Sequence, residues 1–378
     1  MSGDLAMSSS VRRVTGAWLE GDPVGERRFV DAPGIQLELG GALPGIRFAY
    51  ETWGRLSPAR DNAVLVLHAL TGDSHAIGEP GPGHPTGGWW QGVIGPGLGL
   101  DTDRWFVVCP NVIGGCQGST GPSSPAPDGA PWGSRWPATT IRDQVVAEFG
   151  FADALGISQW ASVVGGSMGG QRALEWALCA PERVRRMILL AANAEASADQ
   201  IGTCSIQLDA IRADPRWHGG DYYDDPVGPH VGMGIARRIA HLTYRTADEV
   251  DTRFGRSWQD GTDPLRGGRY AVQSYLDHAE DGLRDRFDAG TYVALTSAMN
   301  SHEIGRGRGG TVAALRRLRA TPTIVGVDSD RLYPLRQQLE LASLLGVEPR
   351  VIHSERGHDG FLVETEQVNA VLTEAMAG

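Results

Sequence analysis

The sequence predicts an α/β fold with a mostly parallel central sheet and helices on both of its faces. Short apolar runs such as AVLVL at residues 63–67 alternate with helical stretches as far as residue 191, and strands that are apolar throughout are typical of parallel sheets buried on both faces. From about residue 193 to residue 310 only helical periods are found. The strand pattern then resumes at residue 323, so a helical segment is inserted into one α/β domain.

The individual elements follow from apolar patterns and turn residues. Predicted strands cover residues 35–38, 46–51, 63–67, 105–108, 160–164, 187–191, 323–327 and 350–353. Predicted helices cover residues 141–155, 168–179 and 360–376, with further helical periods near 236–244 and 270–277. Thr140 is the expected N-cap of the first helix, Gly156 follows its end, and Pro181 closes the second helix.

Three parts of the chain are expected to differ in character. Residues 1–28 show little periodicity and are predicted to form a flexible N-terminal arm. Residues 29–193 and 311–378 together form the predicted core domain. Residues 194–310, which are rich in Asp, Arg and Gly, form a predicted helical lid that is inserted into this core.

Composition argues against several classes of protein. The 378 residues carry a formal net charge of −11, which disfavours a nucleic-acid binder because such proteins present basic patches. The four cysteines form no C-x-x-C pair, and no apolar run is long enough to span a membrane. We therefore expect a cytoplasmic protein with no zinc or redox motif and with neither a membrane nor a nucleic acid as its partner.

The string GGSMG at residues 165–169 is the central chemical motif. By composition alone it is close to a chance occurrence, so its setting decides its meaning. A predicted strand ends before Ser167 and a predicted helix begins directly after it, which is the strand–turn–helix arrangement of the nucleophile elbow in the α/β-hydrolase fold. The alternative is a glycine-rich turn that carries an unreactive serine. We favour Ser167 as a catalytic nucleophile.

A serine nucleophile needs a general base and an acid that orients this base. In this fold the acid follows the serine along the chain, and the histidine comes last. His358 lies in the loop between the last strand and the last helix, whereas His353 falls inside that strand and is expected to be structural. Asp328 and Asp330 both follow the preceding strand, and Asp330 is favoured as the acid because it lies further into the loop.

Two backbone N–H groups are expected to form an oxyanion hole. The helix that begins after the serine places the N–H of Met168 close to the reacting oxygen. The loop after strand 63–67 supplies the second donor, for which the N–H of Leu70 is the candidate. His68, at the start of that loop, is expected to be a packed or hydrogen-bonded side chain rather than a catalyst.

Seven short motifs extend this interpretation along most of the chain. They are HALTG at 68–72, GWW at 88–90, IGPG at 94–97, DT at 101–102, NVIGGCQGSTGP at 111–122, GGSMGG at 165–170 and GHDGF at 357–361. Together, from about residue 34 to the C-terminus, they resemble the homoserine O-acyltransferases of methionine biosynthesis, and most closely the homoserine O-acetyltransferases. This set of motifs is far more specific than the serine motif alone.

The resemblance implies a two-step acetyl transfer. The acetyl group of acetyl-CoA, a co-substrate, would first move to Ser167. The γ-hydroxyl of L-homoserine, deprotonated by His358, would then take the acetyl group. The resemblance implies no tightly bound cofactor and no metal, and it implies a homodimer formed through the lid.

Three residues of a homoserine site are also implied by the resemblance. Arg237 would pair with the substrate carboxylate, which suits its forked donors; the alternative is a solvated helix arginine beside Arg238. Asp359 would bind the substrate ammonium group, and its alternative role is to cap the last helix. Tyr244 would line the same pocket.

Other activities fit the same motifs. Related enzymes use succinyl-CoA or accept serine or other hydroxyl compounds, and a succinyl donor would need an additional basic group that the sequence does not locate. A serine esterase would need the same three catalytic groups but no amino-acid acceptor site. A catalytically inactive fold that only binds ligands is disfavoured, because all three catalytic residue types occur in the expected order.

Overall fold

The computed structural model describes residues 13–377 of the chain, and in this range it contains ten strands. They are β1 (Arg28–Gln36), β2 (Ala42–Trp53), β3 (Ala63–Leu67), β4 (Ile94–Gly95), β5 (Leu100–Asp101), β6 (Phe106–Pro110), β7 (Ser162–Gly166), β8 (Arg186–Leu190), β9 (Thr321–Val327) and β10 (Arg350–Ile352). Eight of them form one sheet in the order β1-β2-β6-β3-β7-β8-β9-β10, and β4 pairs with β5.

Eleven α-helices occur within the same range. They are α1 (Ile141–Ala154), α2 (Met168–Cys179), α3 (Ala198–Arg212), α4 (His230–Tyr244), α5 (Ala247–Phe254), α6 (Ala271–Arg284), α7 (Ala289–Asn300), α8 (Thr311–Leu315), α9 (Leu335–Leu345), α10 (Gly360–Val363) and α11 (Thr365–Ala377). None of the helices described between residues 13 and 377 is both long and apolar enough to cross a membrane.

The main sheet is parallel apart from one end. β2 runs antiparallel to both of its neighbours, β1 and β6, whereas all pairs from β6 to β10 are parallel. The strands β3 and β7 lie at the centre of the sheet with every residue buried, as their apolar sequences predict. The C-terminal ends of the parallel strands share one edge, which is where sites form in such sheets. The predicted α/β fold class is confirmed.

Separate apolar clusters cover the two faces of the sheet. On one face α1, α2 and α9 pack against the strands, with Phe151, Trp176 and Leu341 buried among strand side chains. On the other face α11 contributes Leu372 and Met376 to a second cluster. Helices on both faces explain why the central strands are apolar throughout rather than alternating with polar residues.

The helices α3 to α8 lie between β8 and β9, and no strand occurs in residues 191–320, all of which the structure describes. Part of this segment packs on the C-terminal edge of the sheet through a third apolar cluster. That cluster contains Ile211, Met233 and Tyr292 from these helices together with Leu70 from the loop after β3 and Met168 from the start of α2. The segment therefore covers the edge at which the predicted catalytic residues lie.

Two ion pairs, one buried and one half-buried, join the end of this helical segment to the sheet domain. Arg308 donates to Glu175 of α2 at 2.6 Å and 2.9 Å, and both side chains are buried. Arg306 donates to Glu38 at 3.1 Å. Removing one partner of a buried pair leaves an uncompensated charge, so these contacts fix the point where the segment returns to the sheet.

Residues 13–27 differ from the flexible arm expected for residues 1–28. Ala17 and Thr15 are buried, and the Thr15 hydroxyl donates to Asp288 at 2.8 Å. Asp288 also accepts from Tyr222 at 2.6 Å, so this carboxylate ties the N-terminal part to the helical segment. The packing depends on contacts far along the chain, which local periodicity does not reveal. The remaining part of the expected arm, residues 1–12, lies outside the described residues.

Several predicted elements need correction at their ends. β1 covers residues 28–36 rather than 35–38, because it is an edge strand whose largely exposed side chains give little apolar signal. β7 lies two residues later than predicted. The last helix is divided into α10 and α11 at Glu364. By contrast β3 and α2 have the predicted bounds, and Thr140 caps α1 in a capping box with Asp143.

Gly169 allows α2 to lie directly against β3. An added Cβ at Gly169 would lie 1.9 Å from the carbonyl oxygen of Leu67, whereas at Gly282, an exposed position in α6, it would meet nothing within 4 Å. We expect Gly169→Ala to lower the free energy of unfolding by about 3 kcal/mol through overpacking. Gly282→Ala, the matched control, should raise it by about 0.5–1 kcal/mol. Urea unfolding measures both, and equal midpoints for the two variants would contradict the predicted contact.

Candidate active site

Ser167 occupies a sharp turn between β7 and α2. Its backbone angles are φ 55° and ψ −125°, a conformation that residues with a side chain rarely adopt. The backbone around this turn is closely packed. An added Cβ at Gly165, two residues before the serine, would lie 2.1 Å from the carbonyl oxygen of Gly169, so position 165 requires glycine. These are the features of a nucleophile elbow, in which strain holds the serine at the tip of the turn.

His358 and Asp330 form a buried hydrogen-bonded pair. The His358 Nδ1 atom lies 2.6 Å from Asp330 Oδ2, and both side chains are almost fully buried. Burial alone would lower the pKa of His358, but the charge and hydrogen bond of Asp330 outweigh it and raise the pKa above its ordinary value. A paired Nδ1 leaves Nε2 as the free basic nitrogen, as a general base requires.

The second aspartate of the same loop has a different partner. Asp328 Oδ2 lies 2.8 Å from Nδ1 of His353, and the His353 side chain is 77% exposed. His353 lies one residue beyond β10, so the expectation that it belongs to the strand is wrong. The geometry thus joins His358 with Asp330 and sets Asp328 and His353 apart at the surface.

Aromatic rings enclose the His358 imidazole. Tyr333 stacks on it with a centroid distance of 5.1 Å and an interplanar angle of 21°. Tyr244 and Phe361 lie at 5.9 Å and 5.4 Å. An added Cβ at Gly166, directly before Ser167, would lie 2.3 Å from the same Phe361 ring. Phe361 therefore lies between the serine turn and the histidine, and Ser167, Asp330 and His358 are all buried.

The two predicted oxyanion donors border the same site. Met168 is the first residue of α2, so its N–H has no acceptor within the helix. Leu70 is buried in the turn after β3, and within residues 13–377 its N–H donates no hydrogen bond to another protein group. Nearby, His68 Nε2 accepts from the N–H of Val112 at 3.0 Å, which fixes the loop. Burial lowers the pKa of His68 to about 3, so this side chain is neutral and structural.

Arg237 and Tyr244 lie on one face of α4, seven residues apart. The Arg237 guanidinium carbon lies 5.6 Å from the centroid of the Tyr244 ring, and Tyr244 in turn contacts His358. The Nε and Nη1 atoms of Arg237 are buried and have no hydrogen-bond partner among the described residues. Buried donors without an acceptor are costly, and this guanidinium is therefore a candidate for binding an anionic ligand group.

Asp359 lies beside this group and has a protein partner. Arg245 Nε is 3.5 Å from Asp359 Oδ2, and Arg245 Nη1 is also 3.5 Å from Glu249. Burial raises the pKa of Asp359, while the positive charges of Arg245, His358 and Arg237 act in the opposite direction. Asp359 stands at the N-cap position of α10, but its side chain makes no capping hydrogen bond there and pairs with Arg245 instead.

A narrow cavity adjoins these residues. It is lined by side chains from the sheet loops and the helical segment, among them Leu70, Tyr333, Tyr244, Cys204 and Asn300. The sequence did not single out Tyr333 or Arg245. In the sequence Tyr333 follows Asp330 by three residues, and Arg245 directly follows Tyr244. Neither position belongs to a motif that specifies its contacts.

One cluster in residues 13–377 has the composition of a metal site. The ligand atoms of Glu51, His75 and His84 lie within 4.8 Å of one another and are buried. However, the two imidazoles stack with an interplanar angle of 14°, so one ion could not lie in the planes of both rings. In addition, His84 Nε2 accepts from the N–H of Glu26 at 3.0 Å, and His75 Nδ1 bonds to Glu51 at 2.9 Å. The cluster is a hydrogen-bonded set, and we assign it no ion.

Comparisons with known proteins agree with this geometry. Residues 62–365 match the α/β-hydrolase fold family. A homoserine O-acetyltransferase from Thermobifida fusca (strain YX) is 64% identical over 367 residues, which are 96% of this chain and 97% of that protein. The chain belongs to the homoserine O-acetyltransferase family. The resemblance inferred from the seven sequence motifs is therefore confirmed.

Solved structures show how widely this fold is used. A homoserine O-acetyltransferase from Bacillus anthracis has a TM-score of 0.86 at 24% identity, with 93% of this chain and 97% of that chain covered. An esterase has a TM-score of 0.85 at 23% identity, with 93% and 99% covered. At such identities the likeness shows the fold alone. Because acetyltransferases and esterases share this fold, the family assignment depends on the relatives that are similar in sequence and not on the structural likeness.

The pairing of His358 with Asp330 predicts the acidic limb of the pH profile. The raised pKa of His358 means that the neutral imidazole, which the reaction needs, is lost as pH falls through a value above 6.5. We expect Asp330→Asn to lower kcat/KM at pH 8 by about 10⁴-fold and to move the remaining acidic limb to lower pH. The control Asp328→Asn should keep both the rate and the limb. Rates measured between pH 5 and pH 9 test this, and an unchanged limb in Asp330→Asn would exclude the pairing as its cause.

Proposed function

We propose that this protein transfers the acetyl group of acetyl-CoA to the γ-hydroxyl of L-homoserine through an acetyl-Ser167 intermediate. The observation that carries the proposal is the buried Arg237 guanidinium, whose Nε and Nη1 have no protein acceptor. Tyr244 connects it to His358. A carboxylate-binding group beside a catalytic histidine serves an amino-acid acceptor, whereas a water molecule would not need one.

In the first step Ser167 attacks the thioester carbonyl of acetyl-CoA. His358 accepts the serine proton at Nε2, and Asp330 stabilises the imidazolium. The N–H groups of Met168 and Leu70 stabilise the negative charge that develops on the carbonyl oxygen. Collapse of this intermediate breaks the carbon–sulfur bond, and His358 returns the proton to the departing thiolate. The products are free CoA and the acetyl ester of Ser167.

In the second step the homoserine hydroxyl replaces the thiol. It gives its proton to His358 and attacks the acetyl-serine carbonyl, again with the oxyanion facing Met168 and Leu70. Collapse breaks the bond to the serine oxygen, which takes the proton from His358. O-acetyl-L-homoserine leaves and the enzyme is restored, so neither a metal nor a bound cofactor is needed for the balance of atoms and protons.

Three side chains would hold the acceptor in this second step. Arg237 binds the α-carboxylate with its free donors, and Asp359 binds the α-ammonium group. Tyr244, which lies between Arg237 and His358, lines the pocket. Holding the acceptor at both charged groups raises the local concentration of its hydroxyl and gives homoserine an advantage over water, which otherwise hydrolyses the acetyl-enzyme.

We further propose that residues 194–310 act as a lid and mediate a homodimer in the cytoplasm. Two features support the dimer. Ile206 of α3 is 60% exposed and Val231 of α4 is 68% exposed, so apolar side chains face outward on helices that cover the site. Exposed apolar groups of this kind mark interaction surfaces when they are contiguous.

Thiol release from acetyl-CoA separates transfer from hydrolysis. We expect steady-state release of CoA only when homoserine is present, with serine as a poorer acceptor and succinyl-CoA as a poorer donor. Ser167→Ala should release none. Equal steady-state release with and without homoserine would identify an esterase-like hydrolase, and a higher kcat/KM for succinyl-CoA would identify a succinyltransferase.

Two adjacent arginines of α4 provide a matched test of the acceptor site. Arg237→Met should raise KM for homoserine by about 100-fold, because a charge-assisted contact to the carboxylate is lost, while the rate of acetyl-enzyme formation stays the same. Arg238 pairs instead with Asp277 and Glu280 at 3.4 Å and 3.1 Å, so Arg238→Met should leave both quantities unchanged. An unchanged KM in Arg237→Met would refute its assignment.

A further inference from the structure

Arg286 links the helical segment to the loop that carries a predicted oxyanion donor. It lies in the turn between α6 and α7, and its Nη1 atom donates to the carbonyl oxygen of Thr71 at 2.6 Å. Thr71 directly follows Leu70 in the loop after β3. A guanidinium donor makes a charge-assisted hydrogen bond, which is shorter and stronger than a neutral one. A cation of the helical segment is therefore in direct contact with this loop.

The peptide groups of the loop continue this contact. The carbonyl of Thr71 and the N–H of Gly72 belong to one peptide group, and this N–H donates to the carbonyl oxygen of Ala69 at 3.0 Å. The carbonyl of Ala69 belongs in turn to the same peptide group as the N–H of Leu70, which donates to no other protein group within residues 13–377. Two peptide groups thus form one hydrogen-bonded chain that begins at the guanidinium of Arg286 and ends at the N–H of Leu70.

The last peptide group of this chain is also held by His68. Because Nε2 of His68 accepts from the N–H of Val112 at 3.0 Å, the proton of the neutral ring is on Nδ1. Nδ1 lies 2.8 Å from the carbonyl oxygen of Ala69 and donates to it. This carbonyl therefore accepts two hydrogen bonds, and the peptide group that carries the N–H of Leu70 is restrained in one orientation.

The backbone of Arg286 is anchored by buried side chains. Its carbonyl oxygen accepts from Gln117 Nε2 at 2.7 Å, and Arg27 Nη2 donates to Oε1 of the same amide at 2.7 Å. Arg27 and Gln117 are both buried, and Gln117 belongs to the motif at residues 111–122. Burial lowers the pKa of Arg286, whereas the carboxylate of Asp73 acts in the opposite direction, so the guanidinium remains cationic at working pH.

We propose that Arg286 is a positioning residue that acts on the oxyanion through the N–H of Leu70. Its charge polarises the first peptide group of the chain, and that group polarises the second, because hydrogen bonds in series strengthen one another. The N–H of Leu70 is then a stronger donor, already aimed, when negative charge develops on the acetyl carbonyl oxygen. The inference rests on the proposed acetyl transfer with Leu70 as an oxyanion donor, and it gives the helical segment a part in catalysis besides binding the acceptor.

Arg286→Met removes the charge and the donor but keeps an unbranched side chain. Because an oxyanion forms in both steps, we expect the rates of acetyl-enzyme formation and of transfer to homoserine to fall together by about 10-fold, which is less than the ~10²–10³-fold cost of losing an oxyanion donor completely. Rapid mixing measures thiol release and then the decay of the acetyl-enzyme with homoserine. Arg284→Met is the matched control, because Arg284 pairs with Asp281 at the surface and its loss should leave both rates unchanged.

A trifluoromethyl ketone analogue of acetyl-CoA provides a measurement that a merely structural role would not change. Such a ketone forms a reversible tetrahedral adduct with a serine, so its inhibition constant reports the stabilisation of the oxyanion. In Arg286→Met this constant should rise by about 10-fold, in parallel with the loss of rate, while the Kd of CoA stays the same. Arg286→Lys keeps the charge on a shorter side chain and should give intermediate values, and it provides the test if Arg286→Met does not fold.

Wild-type rates and a wild-type inhibition constant in Arg286→Met would overturn the proposal, as would the same result in Arg286→Lys if only that variant folds. A rise in KM for homoserine or in the Kd of CoA without a rise in the inhibition constant would overturn it as well, since Arg286 would then be a substrate-binding group. Acetyl-enzyme that still forms in Ser167→Ala has a different meaning, because it refutes the proposed function itself.

Discussion

The constraint on which the site depends is the left-handed backbone at Ser167. A residue with a side chain at φ 55° is held there only because the surroundings allow no relaxed alternative. Close packing of α2 against β3 through Gly169 supplies that restraint. The turn directs the serine side chain toward the edge of the sheet and places the N–H of Met168 beside it. The parallel order of the strands then brings the loops that carry Asp330 and His358 to the same edge.

Local charge in this site opposes the charge of the whole molecule. A formal net charge of −11 repels anionic ligands at long range. Within the site, however, Arg237 has buried free donors, and the Asp359 carboxylate lies 3.5 Å from Arg245. In the proposed second step the carboxylate of the acceptor meets Arg237 and its ammonium group meets Asp359. Water gains nothing from these two charges, so the proposed arrangement favours transfer over hydrolysis.

The sequence predicted the features that depend on local pattern and missed those that depend on tertiary contacts. Contacts within a few residues determine three such features: the apolar strand β3, the capping box at Thr140 and the glycine-rich turn around Ser167. β1 was misplaced because edge strands lack the apolar signal. The packing of residues 13–27 and the stacking of Tyr333 on His358 join parts of the chain that are remote in sequence or share no motif. Asp330 was favoured over Asp328 by its place in the loop, and only the fold shows which carboxylate reaches the imidazole.

The two carboxylate oxygens of Asp330 have different partners: one bonds to the imidazole, and the other accepts hydrogen bonds from two N–H groups of the following turn. Together these hydrogen bonds fix the distance between the carboxylate and the backbone of Asp330. A glutamate would retain the charge, but its extra methylene would carry the group past one set of partners or the other. Side-chain length is therefore selected here as strictly as charge, and a change that is conservative in chemistry would be disruptive in geometry.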